Sequence, residues 1–295
     1  MAQTTEELKG QISTAEDLQS VVKTMKALSS VNIREYERAV EALAEYNRTI
    51  EMGLQVVLSR VGEDFLAQRP EPADRYGAVV FGSEQGMVGQ FNEQIAGFAA
   101  RLMGEIAPPL SSWTVLALGS RVVGRLEDTG ASVEEEYRAP ASGAGITSVV
   151  RQALIRIEDW GRERHIDHVL LFYNEPLTGA SYRPRALQLV PVDVEWLHGL
   201  ATRPWQSRVI PIFSMDWERL FSALIRLHLF AAVYQAFAAS LASENASRLA
   251  SMQAAERNIE ERLGELKARY QQERQATVTA EILDIISGFE ALTEE

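Results

Sequence analysis

All ten prolines of this 295-residue chain lie between Pro70 and Pro211. A helix interior excludes proline, which lacks the N–H that the ladder needs and clashes with the preceding turn. From Thr4 to about Arg60 there is no proline and only Gly10 and Gly53 interrupt; from about Asp216 onward only Gly264 and Gly288 do. This distribution predicts two long helices flanking a compact middle.

The apolar spacing of the flanks agrees. In the first, Leu18, Val22, Met25, Ser29, Asn32, Tyr36, Ala39, Leu43, Tyr46 and Ile50 step alternately by four and three. In the second, Leu249, Met252, Ile259, Leu263, Leu266 and Tyr270 keep such a seam, with Glu256 as its polar member, and Val278, Ile282, Ile285, Phe289 and Leu292 resume it. Such steps average 3.5 residues and keep one stripe facing a partner helix in a left-handed coiled coil. At 1.5 Å per residue, flanks of roughly 57 and 75 residues are about 85 and 110 Å long, too long for the inside of a globular domain. The expectation is an antiparallel pair with the longer helix projecting beyond its companion.

The middle alternates strand and helix patterns. Tyr76 to Gly82, Trp113 to Gly119, His168 to Tyr173 and Arg185 to Val194 read as strands; Asn92 to Met103, with Asn92 as a cap, and Gly145 to Arg164 read as helices. Short apolar runs separated by helices indicate a largely parallel sheet covered by helices. The fold class expected is therefore α/β: a central Rossmann-like domain (63–212) between an N-terminal coiled-coil helix (1–62) and a C-terminal one (213–295).

Composition narrows function by exclusion. Apolar residues make up 46% of the chain, enough for a core, and 29 basic against 41 acidic residues leave a net charge of −12. That balance argues against a general nucleic-acid partner. With no cysteine, disulfides, thiolate metal sites and thiol nucleophiles are impossible. No uninterrupted apolar run reaches the length of a membrane span; the longest candidate, Leu229 to Ala242, carries Tyr234, Gln235 and Ser240. The opening MAQTTEELKG lacks the apolar centre of a signal peptide, so a soluble, cytoplasmic chain is expected.

Motifs for chemistry are sparse. Ser83 to Asn92 (SEQGMVGQFN) stands between a strand and a helix, where a phosphate loop would sit, but has Gly86-x-x-Gly89 and no Walker pattern. A structural turn is the favoured reading. His165 and His168, flanking Asp167, fall short of the three or four ligands a metal needs, and Ser142 to Gly145 lacks the G-x-S-x-G of a nucleophile elbow. No cofactor, metal or catalytic group is expected. The flanks offer more: Lys23, Lys26, Arg34 and Arg38 form a basic stretch in an acidic protein, and Glu273 to Glu281 is a polar interval inside an apolar seam. Each reads either as solvated helix surface or as a grip on a partner.

These residues carry a resemblance. ERQATVTAEILDIISGFEAL (Glu273 to Leu292) resembles the C-terminal signature of the F-type ATP synthase gamma subunit family, roughly RQ-x-x-I-T-x-E-I-x-E-I-V-x-G-A. LASENASRLASMQAAERN (Leu241 to Asn258) is similar to the family's SE-x-x-x-R-M-x-A-M-x-x-A-x-x-N, SEQGMVGQFN to its D-R-G-L-C-G-x-x-N, and VVKTMKALSS (Val21 to Ser30) to its I-T-K-A-M-K-M-V-A-A-S. The resemblance implies a non-catalytic rotor shaft inside a hexamer of alternating alpha and beta subunits. It implies a foot meeting the epsilon subunit and the membrane c-ring, peripheral to the cytoplasmic face of a bacterial plasma membrane. Lys23, Met25 and Lys26 would then lie near a mobile acidic loop of a beta subunit, and Arg248, Gln275, Thr279 and Glu281 would make polar contacts with the hexamer.

Two departures stand out. The family's A-A-S-K-L-R is here Ser29 to Arg34 without its lysine, and its Y-E-P-D is Phe213 to Asp216 with serine at 214 in place of glutamate. A divergent paralogue from a second, N-type ATPase operon fits these changes. A non-rotary coiled-coil scaffold, and a small-ligand enzyme built on the middle domain, are the competing readings; the missing phosphate motif weighs against the enzyme and the C-terminal signature against the scaffold.

Overall fold

A computed structural model describes residues 4–61, 74–177, 181–205, 209 and 211–293, with residue 61 and residues 288–293 by backbone alone. The chain forms two compact units, Met1–Leu28 with Leu249–Glu295, and Ser29–Arg248. Both proline-free flanks are helical: α1 spans Thr5–Val61 and α6 spans Trp217–Thr293. The expected boundary at residues 62 and 63 lies outside the described residues.

In the first unit, α1 and α6 run antiparallel. Glu16 meets Lys267 at 2.8 Å, Gln19 meets Glu260 at 3.3 Å and Lys26 meets Glu256, so position falls on one helix as it rises on the other. Leu8, Val22, Met252, Leu263 and Leu266 are buried along the seam. Five predicted seam positions do not follow: Val278, Ile282 and Ile285 lie on the exposed end of α6, Tyr46 in the other unit is 39% exposed, and Leu18 is 52% exposed. Strict four-three stepping drifts around a helix of 3.6 residues per turn, and here neighbouring Ala15 and Gln19 are the half-buried positions instead. From Arg274 through Ser287 every residue of α6 is exposed.

The second unit holds a five-stranded sheet in the order β3-β2-β1-β4-β5. β1 (Tyr76–Phe81), β2 (Thr114–Leu118), β3 (Val133–Tyr137) and β4 (His168–Pro176) are parallel, and β5 (Tyr182–Val190) closes one edge antiparallel to β4. The helices between them are α2 (Phe91–Ile106), α3 (Val123–Asp128), α4 (Ile146–Arg164) and α5 (Val194–Thr202). Pairing is in register across the centre, Val79 facing Leu116 on one side and Leu171 on the other.

Side chains alternate between the two faces of a strand, and the core divides accordingly. Ala78, Val80, Val115, Ala117 and Phe172 face α2 through Ile95, Ala99 and Met103. Val79, Phe81, Leu116, Leu118 and Leu171 face α4 and α6, together with Trp160, Phe237 and Tyr36 of α1. A third cluster joins α1, α5 and α6 through Ile50, Leu54, Leu58, Leu197, Leu200 and Ala231.

Two readings of the middle are corrected. β3 is a strand although it reads VEEEY, because Glu134 and Glu135 pair with Arg156 of α4, Glu134 also with Arg164, and these neutralise an acidic edge. The last strand ends at Val190 rather than Val194, since Pro191 cannot extend the ladder and Asp193 caps a new helix by accepting from the Glu195 N–H at 2.9 Å. α6 also holds, between Trp217 and Ser287, an 18-residue window apolar enough by length and composition to cross a membrane. Averaged apolarity tolerates the polar interruptions that an uninterrupted run does not. Ala231, Val233, Ala236 and Phe237 of this helix are buried in the sheet unit's own clusters.

Leu54 is fully buried in the third cluster, so Leu54→Ala is expected to cost about 2–5 kcal/mol of stability in urea unfolding. His228 stacks on Trp196 with ring centroids 4.3 Å apart, and its burial pushes the imidazole pKa down, with Glu51 opposing. The unfolded histidine takes a proton below its ordinary value of about 6.5 and the folded one resists it, so this contribution is complete above that pH and is lost as pH falls below it. The difference in urea midpoint between wild type and His228→Phe, followed from about pH 7.5 to 5.5, is expected to shift in favour of the variant as pH falls.

Candidate functional site

In a parallel sheet with helices on both faces, ligands bind beyond the carboxyl ends of the strands, at the point where strand order reverses. Here that point lies between β1 and β4, the two strands flanked by chain segments running to opposite edges. The loops there are tightly bound to one another. A Cβ on Gly82 would come within 2.3 Å of Val122, and Gly119, at φ +106°, would bring one within 2.6 Å of the Gly82 carbonyl. Gly82 is needed because the Val122 side chain packs directly on it, and Gly119 because the β1 and β2 exits pass at backbone contact.

Glu84 ties three of these loops. Its carboxylate accepts from the Ser120 hydroxyl at 3.1 Å, the Ser120 N–H at 3.4 Å and the Ala139 N–H at 3.1 Å. Asn92 is not the cap that its position suggested. It lies inside α2, accepts the Ser83 N–H at 2.9 Å and donates to the Ser83 hydroxyl at 2.9 Å, which clamps the start of the SEQGMVGQFN turn.

α6 closes the crevice with polar side chains. The Ser243 hydroxyl donates to the Asn174 carbonyl at the end of β4 at 3.0 Å, and the Ser247 hydroxyl donates to Val88 at 2.6 Å. Arg248 donates to Gln85 at 3.3 Å and to Glu244 at 2.5 Å, with both side chains under a tenth exposed. Burial pushes the Glu244 pKa up against the pull of Arg248, and burial followed by the charge of Glu244 raises the Tyr36 hydroxyl to about 12. Polar side chains of the protein's own helix thus occupy the strand-end crevice where a ligand sits in an open α/β domain.

An open cleft of about 540 Å³ remains beside Gly86, Gly89, Ser120 and Arg121. The other arginine there, Arg125, is held by Glu93 at 2.9 Å and Asp128 at 3.6 Å. The two histidines of HIDH serve separate local purposes: His165 takes the left-handed conformation that ends α4, and His168 stacks on Tyr76 with centroids 4.9 Å apart. Among the described residues no group of three metal-ligating side chains converges.

The positions singled out for partner contact fall into three settings. Lys23 is exposed and Met25 half-buried on α1, while Lys26 pairs with the seam residue Glu256. Gln275, Thr279 and Glu281 are exposed on α6, where the Thr279 hydroxyl donates to the Gln275 carbonyl of its own helix at 2.8 Å. Arg248 is 7% exposed, its guanidinium taken up inside the sheet unit. Beside the polar trio, Val278, Ile282, Leu283, Ile285 and Ile286 are each between 46% and 72% exposed. The sequence reading missed Glu84, Ser243 and Ser247. The only signal for the two serines was a polar run, SENASR, inside an otherwise alanine-rich helix, and Glu84 had none.

Asn92→Ala removes both bonds to Ser83 and leaves a buried N–H without its acceptor, which is expected to cost about 1–3 kcal/mol in urea unfolding. Asn92→Asp, which retains the acceptor, should recover part of that loss.

Comparisons with known proteins agree over the whole length. A family profile described as ATP synthase matches residues 4–292. The ATP synthase gamma chain of Anaeromyxobacter dehalogenans (strain 2CP-C) is 26% identical over 294 residues, covering 97% of this chain and 98% of that protein. That of Sinorhizobium medicae (strain WSM419) is 27% identical with the same coverage. Among solved structures, the rotor of Euglena gracilis mitochondrial ATP synthase superposes with a TM-score of 0.61 at 14% identity, covering 93% of this chain and 98% of its counterpart. The central stalk and c-ring structure of the Tetrahymena thermophila enzyme gives 0.56 at 20% identity, covering 80% and 99%. With the profile spanning nearly every residue and gamma-chain relatives matched end to end, the chain belongs to the ATP synthase gamma subunit family.

Proposed function

We propose that this gamma subunit, a non-catalytic component of ATP synthase, works as the shaft that enters a hexamer of alpha and beta subunits. The observation that carries this reading is the C-terminal part of α6. From Arg274 to Ser287 it is exposed throughout, with large aliphatic side chains beside Gln275, Thr279 and Glu281. A helix so apolar without cover from its own chain calls for an enclosing partner. An apolar surround bears on Val278, Ile282 and Ile285, and hydrogen-bonding groups of the hexamer engage Gln275, Thr279 and Glu281. Lys23, Met25 and Lys26 face the acidic loop of a beta subunit. Arg248 is 7% exposed and donates to Gln85 and Glu244 within its own unit, so its contact is the most constrained of the set.

Rotation acts on catalysis through differential contact. Each beta subunit has conformations of different nucleotide affinity, and a shaft that touches them differently at each angle shifts their populations without taking part in the chemistry. At the other end, the epsilon subunit and the membrane c-ring receive the foot, on the cytoplasmic face of a bacterial membrane; the bacterial sources of the matched relatives support that placement.

Reconstitution with alpha and beta subunits tests this. The full chain is expected to co-elute with the hexamer, and deletion from Gln275 onward to lower either assembly or the coupling of ATP hydrolysis to rotation. A chain that stays monomeric beside an assembled hexamer would overturn the reading in favour of a coiled-coil scaffold.

A further inference from the structure

One member of the α6 seam is out of character. Leu249, Met252, Ile259, Leu263, Leu266 and Tyr270 belong to a series that steps by three and four, and the position between Met252 and Ile259 that completes it is Glu256. Met252, Leu263 and Leu266 are buried along this stripe. A carboxylate placed there loses hydration that an aliphatic side chain would not, and it needs a partner.

The partner is Lys26 of α1, whose ammonium donates to the Glu256 carboxylate. Their side chains are 29% and 17% exposed. The Glu16–Lys267 pair in the same unit has both side chains more than half exposed and is an ordinary solvated contact. Stability does not explain a half-buried pair at a seam position, since apolar residues of similar volume serve there at least as well. Its effect on the basic stretch of α1 is more distinctive. Lys23, three residues before Lys26 and so its neighbour on the helix surface, is exposed and has no ion-pair partner among the described residues.

The two lysines therefore differ. Lys23 presents its charge to water, whereas Lys26 must leave one anion before it takes another. The ammonium rides on a flexible four-carbon stem, so the exchange requires a change of rotamer and no movement of either helix. A site that is free in only a fraction of molecules binds with its affinity reduced by that fraction.

We propose that Glu256 is an internal counter-ligand for the basic stretch: it occupies Lys26 in place of a partner's acidic segment, leaves Lys23 to meet that segment first, and yields Lys26 only by exchange. That the partner is the acidic loop of a beta subunit rests on the shaft reading; the competition within the chain does not. By lowering the affinity of the contact, the counter-ligand suits an attachment that forms and breaks repeatedly rather than one that stays closed.

The test begins with the full-length chain alone. Labelling with acetic anhydride, read by mass spectrometry, is expected to modify Lys23 faster than Lys26. Glu256→Gln keeps the size of the side chain and removes its charge, and should bring Lys26 close to the Lys23 rate. Poly-L-glutamate then serves as the acidic probe. At low salt Glu256→Gln is expected to bind it several-fold more tightly than wild type, and the gain should vanish in Glu256→Gln with Lys26→Gln. It should also vanish near 1 M KCl, where the screening length is about 3 Å. Glu260→Gln, which makes the same change in net charge one turn away, should not reproduce the gain, and Lys23→Gln should weaken binding in either background. The same variants are compared for retention on reconstituted alpha–beta hexamers across a salt series, with the same order expected. Equal labelling of Lys23 and Lys26 in wild type overturns the inference, as does a Glu256→Gln chain that binds polyglutamate no better than wild type. A lower urea midpoint for Glu256→Gln with labelling and binding unchanged also overturns it, and reduces the pair to a device of helix register. The expected polyglutamate response with no retention on hexamers sustains the counter-ligand and overturns the shaft reading instead.

Discussion

The packing of α6 against the sheet is the interaction on which the larger unit depends. Phe237 and its neighbours lie on the face formed by Val79, Phe81, Leu116 and Leu171, and Tyr36 of α1 enters the same cluster. A sheet of four parallel strands needs cover on both faces because its strands are apolar on both. α2 covers one face from within the domain. The other cannot be covered by α4 alone, and the terminal helices supply the remainder. The middle of the sequence is thus a domain by its connectivity but not by its core, which includes residues from both ends of the chain.

This explains which features the sequence disclosed. The terminal helices were legible because proline exclusion and four-three stepping are local properties that survive whatever the helix packs against. The central strands were legible because burial on both faces leaves continuous runs such as AVVF and VLAL. β3 was not legible: VEEEY contradicts strand propensity, and it forms because Arg156 and Arg164 lie in a helix that follows it in the chain. The departure of Leu18 from the seam has a similar origin, since a strict heptad can be drawn through a sequence whose actual contacts follow the gradual drift of the helix.

The functional surfaces were legible to unequal degrees. The polar trio Gln275, Thr279 and Glu281 stood out by motif, and the helix bearing them is exposed, so motif and accessibility point to the same place. Arg248 stood out by the same comparison yet is buried, because SENASR serves two demands at once: helix continuity along α6 and hydrogen bonds to the loops beneath it. Glu84 could not be found from sequence, since the donors to its carboxylate, the Ser120 hydroxyl and the Ala139 N–H, converge only after three strands have been laid side by side.

The closure of the crevice has an evolutionary reach. In most α/β domains a change of ligand requires only new side chains on the strand-end loops, because the floor of the crevice is left open to solvent. Here the floor is already bonded: Asn174, Val88 and Gln85 give their carbonyl oxygens to Ser243, Ser247 and Arg248. A newcomer to that position would have to displace a helix whose other side chains form the core, so no single substitution reopens it. The domain has exchanged the adaptability of its architecture for permanence.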